Sequence, residues 1–248
     1  MDLGLDGRTA IVCGASQGMG LAIAEALAAE GANVAMFARR RDVLEREAER
    51  IGALAVRGDL TNPQHLAQLV DTTVEAFGGI DVLVLNGGGP PPAAAVGLTP
   101  EAVETAVELL LTPHLRLVER CLPHLRASGR GRVVAIESTS VKEPIPNLVL
   151  SNAVRPGVVG WLRTLAREVA ADGVTVNVIA PGRIDTERVR DVYGPDGPSQ
   201  ADLAAIAVGR LGAPAEVAAA VCFLASAPAS YVTGAVLPVD GGLTRGLL

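Results

Sequence analysis

The run Ile11-Val12-Cys13-Gly14-Ala15-Ser16-Gln17-Gly18-Met19-Gly20 places three glycines between an apolar stretch, Thr9 to Cys13, and an Ala- and Leu-rich stretch, Leu21 to Glu30, closed by Gly31. The first reads as a buried strand and the second as a helix with glycine just past its end. The glycines therefore predict a strand-to-helix turn. Such a turn aims unpaired backbone N–H groups and the positive end of a helix dipole at whatever lies in front of it, and glycine lets a pyrophosphate come close to the main chain. A dinucleotide is the expected occupant, with Gly14, Ser16, Gln17, Gly18, Met19 and Gly20 as its contacts. The spacing is Gly-x-x-x-Gly-x-Gly and not the widespread Gly-x-Gly-x-x-Gly. A glycine turn with a purely structural role is the alternative.

Short apolar runs alternate with longer amphipathic ones along the rest of the chain. Strands are expected at Asn33–Ala38, Leu54–Arg57, Val82–Leu85, Val133–Ile136, Val174–Ile179 and Ala235–Val239. Helices are expected at Arg41–Ile51, Gln64–Phe77, within 151–171 and at Pro214–Ala225. A long helix is also expected from Pro100 to about Leu122, with Thr99 as its N-cap. Strands separated by helices of this length need parallel crossovers. The expected fold is α/β, a single doubly wound parallel sheet of Rossmann type with helices on both faces, in one domain over 1–248. Ligands of such sheets bind beyond the carboxyl ends of the strands, so the residues just after each strand carry the functional signal.

After the second strand the chain places Arg39 and Arg40, where a carboxylate would serve the ribose hydroxyls of NAD(H). Guanidinium groups suit a 2′-phosphate, which favours NADP(H) over NAD(H). Three solvated cations at a helix start are the alternative, although positive charge is mildly unfavourable there. After the third strand, Asp59 and Leu60 can meet the adenine. After the fourth, Asn86, Gly87 and Gly88 open a flexible wall beside the same crevice.

Composition excludes several partners. The net charge of −6 with no basic stripe argues against nucleic acid. No apolar run reaches the ~18 residues of a membrane span. The 49% apolar content can fill a large core. Cys13, Cys121 and Cys222 form no Cys-x-x-Cys pair and read as reduced core residues. No signal-like segment is seen at the start. These features lead to the expectation of a soluble cytoplasmic protein.

Taken together in this order, the residues resemble the classical short-chain dehydrogenases/reductases, including the 3-oxoacyl-carrier-protein reductase branch, over nearly the whole chain. The resemblance assigns the glycine turn to Gly14, Gly18 and Gly20, the adenine-contacting Asp to Asp59 and the Asn-Ala-Gly segment to Asn86, Gly87 and Gly88. It assigns the Pro-Gly segment after the sixth strand to Pro181 and Gly182, with Thr186 at the position that holds the carboxamide. Val232-Thr233-Gly234 and Asp240-Gly241-Gly242 match the C-terminal signature that supports the sheet edge and subunit contacts. The resemblance also implies an oxidoreductase and a homo-oligomer, most simply a homotetramer, joined through the helices near 100–122 and 151–171 and the C-terminal edge.

The catalytic positions depart from the family's pattern. The family's Ser is present as Ser138, with Ser140 as an alternative, but its Tyr position holds Ser151, its Lys position Arg155, and its Asn position aligns with Glu108. A phenol is useful in carbonyl reduction because a nearby cation brings its pKa of ~10 toward working pH. A serine is shorter and far less acidic, and a guanidinium is a poor proton relay. Pro156 is expected to push Arg155 out of helical geometry.

Tyr193, within the segment 185–210 that would cover the substrate crevice, is a candidate replacement donor. Tyr231 reads as structural. Lys142 and Glu143 read as loop charges, and His65, His114 and His124 as surface or packing residues without metal-like spacing. Two functions remain open: an NADP(H)-dependent oxidoreductase acting on a small carbonyl or hydroxyl compound with atypical catalysis, or a catalytically degenerate nucleotide-binding homologue with a regulatory, assembly or non-redox role.

Overall fold

Regular alternation of apolar residues along each strand builds two separate cores, one on each face of a central sheet. A computed structural model describes residues 1–187, 189, 193–194 and 197–246. The strands are β1 (Thr9–Cys13), β2 (Asn33–Ala38), β3 (Leu54–Arg57), β4 (Val82–Leu85), β5 (Arg132–Ile136), β6 (Thr175–Pro181) and β7 (Val236–Val239). All pairings are parallel, in the order β3-β2-β1-β4-β5-β6-β7. The helices are α1 (Gly18–Ala29), α2 (Arg41–Ile51), α3 (Pro63–Phe77), α4 (Pro100–Leu110), α5 (Thr112–Ala127), α6 (Val149–Val169), α7 (Gln200–Ala204) and α8 (Pro214–Ala225).

Ile11, Cys13, Leu83, Leu85, Val133 and Ala135 point to one face, where they pack against Leu69 of α3, Leu117 and Cys121 of α5 and Val158 and Leu162 of α6. Their neighbours Val12, Val82, Val84, Val134 and Ile136 point to the other, against Ile23 and Leu27 of α1 and Val217 and Val221 of α8. Burial on both faces explains why the central strands are continuous apolar runs. The strand order reverses between β1 and β4, and a doubly wound sheet opens its ligand crevice at that reversal.

The expected spans of β1, β2, β3, β4, α2 and α8 match the structure, and Thr99 caps α4 by accepting a hydrogen bond from the Ala102 N–H at 3.3 Å. The long helix expected over 100–122 is instead two helices, α4 and α5, meeting at Leu111. Pro113 accounts for the break: it has no N–H to return to the preceding turn, so the helix lapses at Leu111 and restarts at Thr112. The opposite correction applies to Pro156, which sits inside the continuous helix α6 on its exposed side. Arg155 is therefore held one helical turn beyond Ser151 and is not displaced.

Side chains with long sequence reach tie the sheet to the segments packed around it. Arg8 and Arg132, both buried, donate to the Ala225 and Ser226 carbonyls at the end of α8, at 3.1 and 3.3 Å. Beside the β7 edge the buried Asn177 donates to the Val232 carbonyl at 2.7 Å and accepts from the Ala235 N–H at 3.1 Å, while the Thr233 hydroxyl accepts from the Val176 N–H. The three cysteines are free and buried, and burial pushes the Cys13 thiol up to about 12 and the Cys222 thiol up to about 11. Among the described residues no helix is long and apolar enough to cross a membrane, and no cluster of metal-ligating side chains occurs.

Asn177→Leu leaves the Val232 carbonyl and the Ala235 N–H without their partner, at a cost of about 1–3 kcal/mol for each group that stays dry. Urea denaturation should show a lower midpoint with an unchanged slope.

Candidate active site

The turn after β1 closes only because three of its residues lack a side chain. Gly14 and Gly18 take left-handed φ values of +61° and +57°. A Cβ on Gly20 would lie 2.1 Å from the Gly14 carbonyl oxygen and 2.8 Å from Asn86 Nδ2. Asn86, at the end of β4, donates from Nδ2 to the Cys13 carbonyl at 3.0 Å and so ties the two strand ends at the reversal point. Gln17 precedes α1 without a side-chain cap, and the first turn of α1 carries no acidic residue. This end of the helix can therefore serve an anion, as the phosphate cradles of dinucleotide sites do.

From the turn, the crevice runs in two directions. Its outer part is bounded by Ser16, Gln17 and Gly18, by Arg39 and Arg40, and by Asp59 and Leu60, with Leu109 of α4 opposite. Arg39 is largely exposed, its Nη1 4.0 Å from Asp59 Oδ2. The other Asp59 oxygen accepts from the Thr61 N–H and hydroxyl, both at 2.9 Å, and the first of these bonds does most to hold the carboxyl below its usual range. The His65 ring accepts the Asp59 N–H at 3.1 Å and fixes the loop. Open cations beside an ionised, pre-bonded carboxylate fit a phosphorylated ribose and an adenine amino group. Met19, Asn86, Gly87 and Thr186 border both parts, so the crevice is continuous.

The inner part is walled by Ser138, Ser151, Arg155, Pro181, Gly182, Thr186 and Tyr193. Arg155 donates from Nε to Ser151 Oγ at 3.2 Å and from Nη1 to Glu137 Oε2 at 2.9 Å. A guanidinium cannot accept a hydrogen bond, so the Ser151 oxygen is the acceptor and its own hydrogen is left for another partner. The same holds for Ser138, whose Oγ accepts from the Ser140 N–H at 3.1 Å. Two hydroxyls with their acceptor sides engaged thus line one wall, in position to donate to an oxygen in the crevice. Tyr193 lies against Arg183, whose guanidinium carbon is 5.5 Å from the ring centroid. Burial, the larger effect, raises the Tyr193 phenol above its ordinary range, so it stays protonated near neutral pH.

Two site residues were not singled out in the sequence. Glu137, whose side chain is 0% exposed, continues the alternation of Val133 and Ala135 toward α5 and α6 and meets Arg155 there. Burial pushes its carboxyl up, against the pull of Arg155. Behind it lies His114 of α5, also buried, with Nδ1 3.9 Å from Glu137 Oε1; neither atom has a hydrogen-bond partner. Burial, followed by the Arg155 charge, lowers the His114 pKa to about 4, so the ring is neutral. A carboxylate directly continuing a buried strand was the available signal, because it needs a cation within reach.

Glu108 is a correction in the other direction. It is exposed on α4, accepts from the Thr112 hydroxyl at 3.3 Å and faces Arg116 at 3.8 Å, outside the crevice. The helix turns its neighbour Leu109 inward instead. Lys142 is exposed, whereas Glu143 borders the inner crevice.

Comparison with known proteins agrees with this geometry. The family described as enoyl-(acyl carrier protein) reductase matches residues 14–244. A 3-oxoacyl-[acyl-carrier-protein] reductase of Vibrio cholerae is 36% identical over 245 residues, covering 97% of this chain and 99% of that protein. The corresponding Mycobacterium tuberculosis reductase is 37% identical over 239 residues, covering 96% of this chain and 94% of its own length. Among solved structures, L-sorbose reductase from Gluconobacter frateurii, complexed with NADPH and L-sorbose, superposes with a TM-score of 0.92 at 31% identity over 100% of both chains. YwfH, an NADPH-dependent reductase involved in bacilysin biosynthesis, gives 0.91 at 27% identity over 97% of this chain and 99% of that one.

Gly20→Ala drives a methyl group into the Gly14 carbonyl and the Asn86 amide. Dinucleotide binding, followed by calorimetry, should fall at least a hundredfold, and the thermal midpoint should fall with it.

Proposed function

Because this chain belongs to the short-chain dehydrogenase/reductase family, we propose that it is an NADP(H)-dependent oxidoreductase acting on a small carbonyl or hydroxyl compound through an atypical site. The bound cofactor supplies or accepts the hydride. In the reducing direction the carbonyl carbon gains that hydride and the oxygen a proton, so a ketone, NADPH and H⁺ become an alcohol and NADP⁺. Gly14, Gly18 and Gly20 seat the pyrophosphate, Arg39 and Arg40 take the 2′-phosphate, Asp59 and Leu60 border the adenine, and Pro181, Gly182 and Thr186 border the nicotinamide.

The observation that carries the reading is that Ser138, Ser151 and Arg155 all border the inner crevice, which is continuous with the one at the glycine turn. Ser138 and Ser151 donate to the substrate oxygen, and the hydrogen bond that the Ser151 oxygen accepts from Arg155 strengthens its donation. Neither serine is an acid near neutral pH, so the proton comes from Tyr193 or from solvent. The protein acts as a homotetramer in the cytoplasm. The exposed Leu237 on β7 and the exposed Tyr231 shortly before that strand in sequence suit the C-terminal region to subunit contact.

NADP(H) should bind more tightly than NAD(H), and Arg39→Ala should remove most of the difference. Equal dissociation constants for the two cofactors in the wild type would sink the assignment of the 2′-phosphate to these arginines.

Turnover of NADPH with common ketones and 3-oxoacyl thioesters should be slow, below the ~1–10³ s⁻¹ usual for enzymes, because a positioned general acid is worth ~10²–10⁴-fold. Tyr193→Phe should slow it further, and Ser151→Tyr with Arg155→Lys should raise it. Binding of NADPH with no consumption across ketones, thioesters and quinones would instead identify a nucleotide-binding protein without redox activity.

A further inference from the structure

The carboxylate of Glu137 has no role in the reading above, yet it is the most enclosed charged group beside the crevice. It reaches Arg155 at 2.9 Å, while the same guanidinium reaches Ser151 at 3.2 Å. These two contacts use different nitrogens of one rigid plane. Fixing Nη1 on Glu137 therefore fixes where the Nε–H points. A second consequence concerns charge. The inner crevice is bordered by Arg155, Arg183, Glu137 and Glu143; Arg155 is paired with Glu137, and Arg183 faces Asp202 at 3.5 Å. Among the described residues that border the inner crevice, both cations have a counter-charge.

We propose that Glu137 is a positioning and specificity-determining residue: it orients Arg155 so that Ser151 must donate into the crevice, and it cancels the Arg155 charge so that the site takes uncharged carbonyl compounds in preference to 2-oxo acids. The proposal rests on the oxidoreductase reading for its chemistry but not for its geometry. His114 completes the arrangement as a neutral group behind Glu137, and its buried Nδ1 brings no competing charge to the pair. A lysine at position 155 could meet Glu137 as a point charge, but it lacks the second, fixed donor that holds Ser151.

The test uses the full-length protein and Glu137→Gln, which keeps shape and removes charge. In arginine-labelled protein the Arg155 Nε–H signal, identified by its loss in Arg155→Lys, should exchange slowly with solvent. In Glu137→Gln exchange should be at least tenfold faster, and in Glu137→Asp intermediate. Equal exchange in wild type and Glu137→Gln overturns the positioning role.

Pyruvate, titrated by calorimetry into the protein with and without NADP⁺, should bind at least tenfold more tightly to Glu137→Gln than to wild type. Equal or weaker binding overturns the specificity role. If Glu137→Gln does not fold, Glu137→Asp carries both measurements, with exchange at least threefold faster and pyruvate binding at least twofold tighter; no change overturns the proposal. Where the wild type is active, Glu137→Gln should lower kcat at least tenfold with KM for NADPH unchanged, and an unchanged kcat overturns the proposal. Failure of the wild type to consume NADPH with any carbonyl compound sinks the oxidoreductase reading alone, since exchange and pyruvate binding need no turnover.

Discussion

Close approach of α1 to β1 is the constraint on which the rest of the molecule depends. The approach requires that nothing project from Gly20 toward the Gly14 carbonyl, where a Cβ would stand at 2.1 Å, and that the Asn86 amide reach the Cys13 carbonyl from β4. Once these hold, the end of α1 faces the gap where the strand order reverses. The sheet then places Arg39 and Asp59 on one side and Ser138, Pro181 and Gly182 on the other. One close contact thus sets the position of a crevice whose walls come from six different strand ends.

Much of this was legible in the sequence because it rests on local rules. Strand spans were readable where both faces are buried, since such strands are unbroken apolar runs, and Thr99 followed by Pro100 announced the start of α4. Two prolines were misjudged in opposite senses. Pro113 falls where α4 and α5 can part, and it divides the helix; Pro156 falls on the exposed side of α6, whose inner face is held by Val154, Val158 and Leu162, and the helix continues. Tertiary packing decides between the two outcomes, and a window of local sequence does not contain it.

The site shows the same limit more sharply. Gly14, Arg39, Asp59 and Asn86 follow strands closely and were read from their position, whereas Pro181, Gly182 and Thr186 came only from the family resemblance. Glu137, Arg155 and His114 come from β5, α6 and α5, and only packing brings them together. Glu108 illustrates the converse: register against a family pattern placed it at the site, whereas the helix phase turns it to solvent and Leu109 to the crevice.

Ser151 and Arg155, at the positions where the resemblance puts Tyr and Lys, make physical sense together with Glu137. A cation beneath a phenol lowers the phenol's pKa, so a cation left there without the phenol has no such task and carries the full penalty of burial. Decay of the site would leave that cation unpaired. Here it is paired, by a carboxylate equally buried, and the removal of either partner alone would cost about 3–5 kcal/mol. Replacing a buried pair by apolar side chains is commonly neutral or better, so packing alone gives no reason to keep Glu137 and Arg155. What the pair adds is direction: a planar donor held by Glu137 makes the Ser151 oxygen an acceptor and its hydrogen a donor. A buried pair that orients a serine beside the crevice is the physical ground for the altered-chemistry reading proposed above.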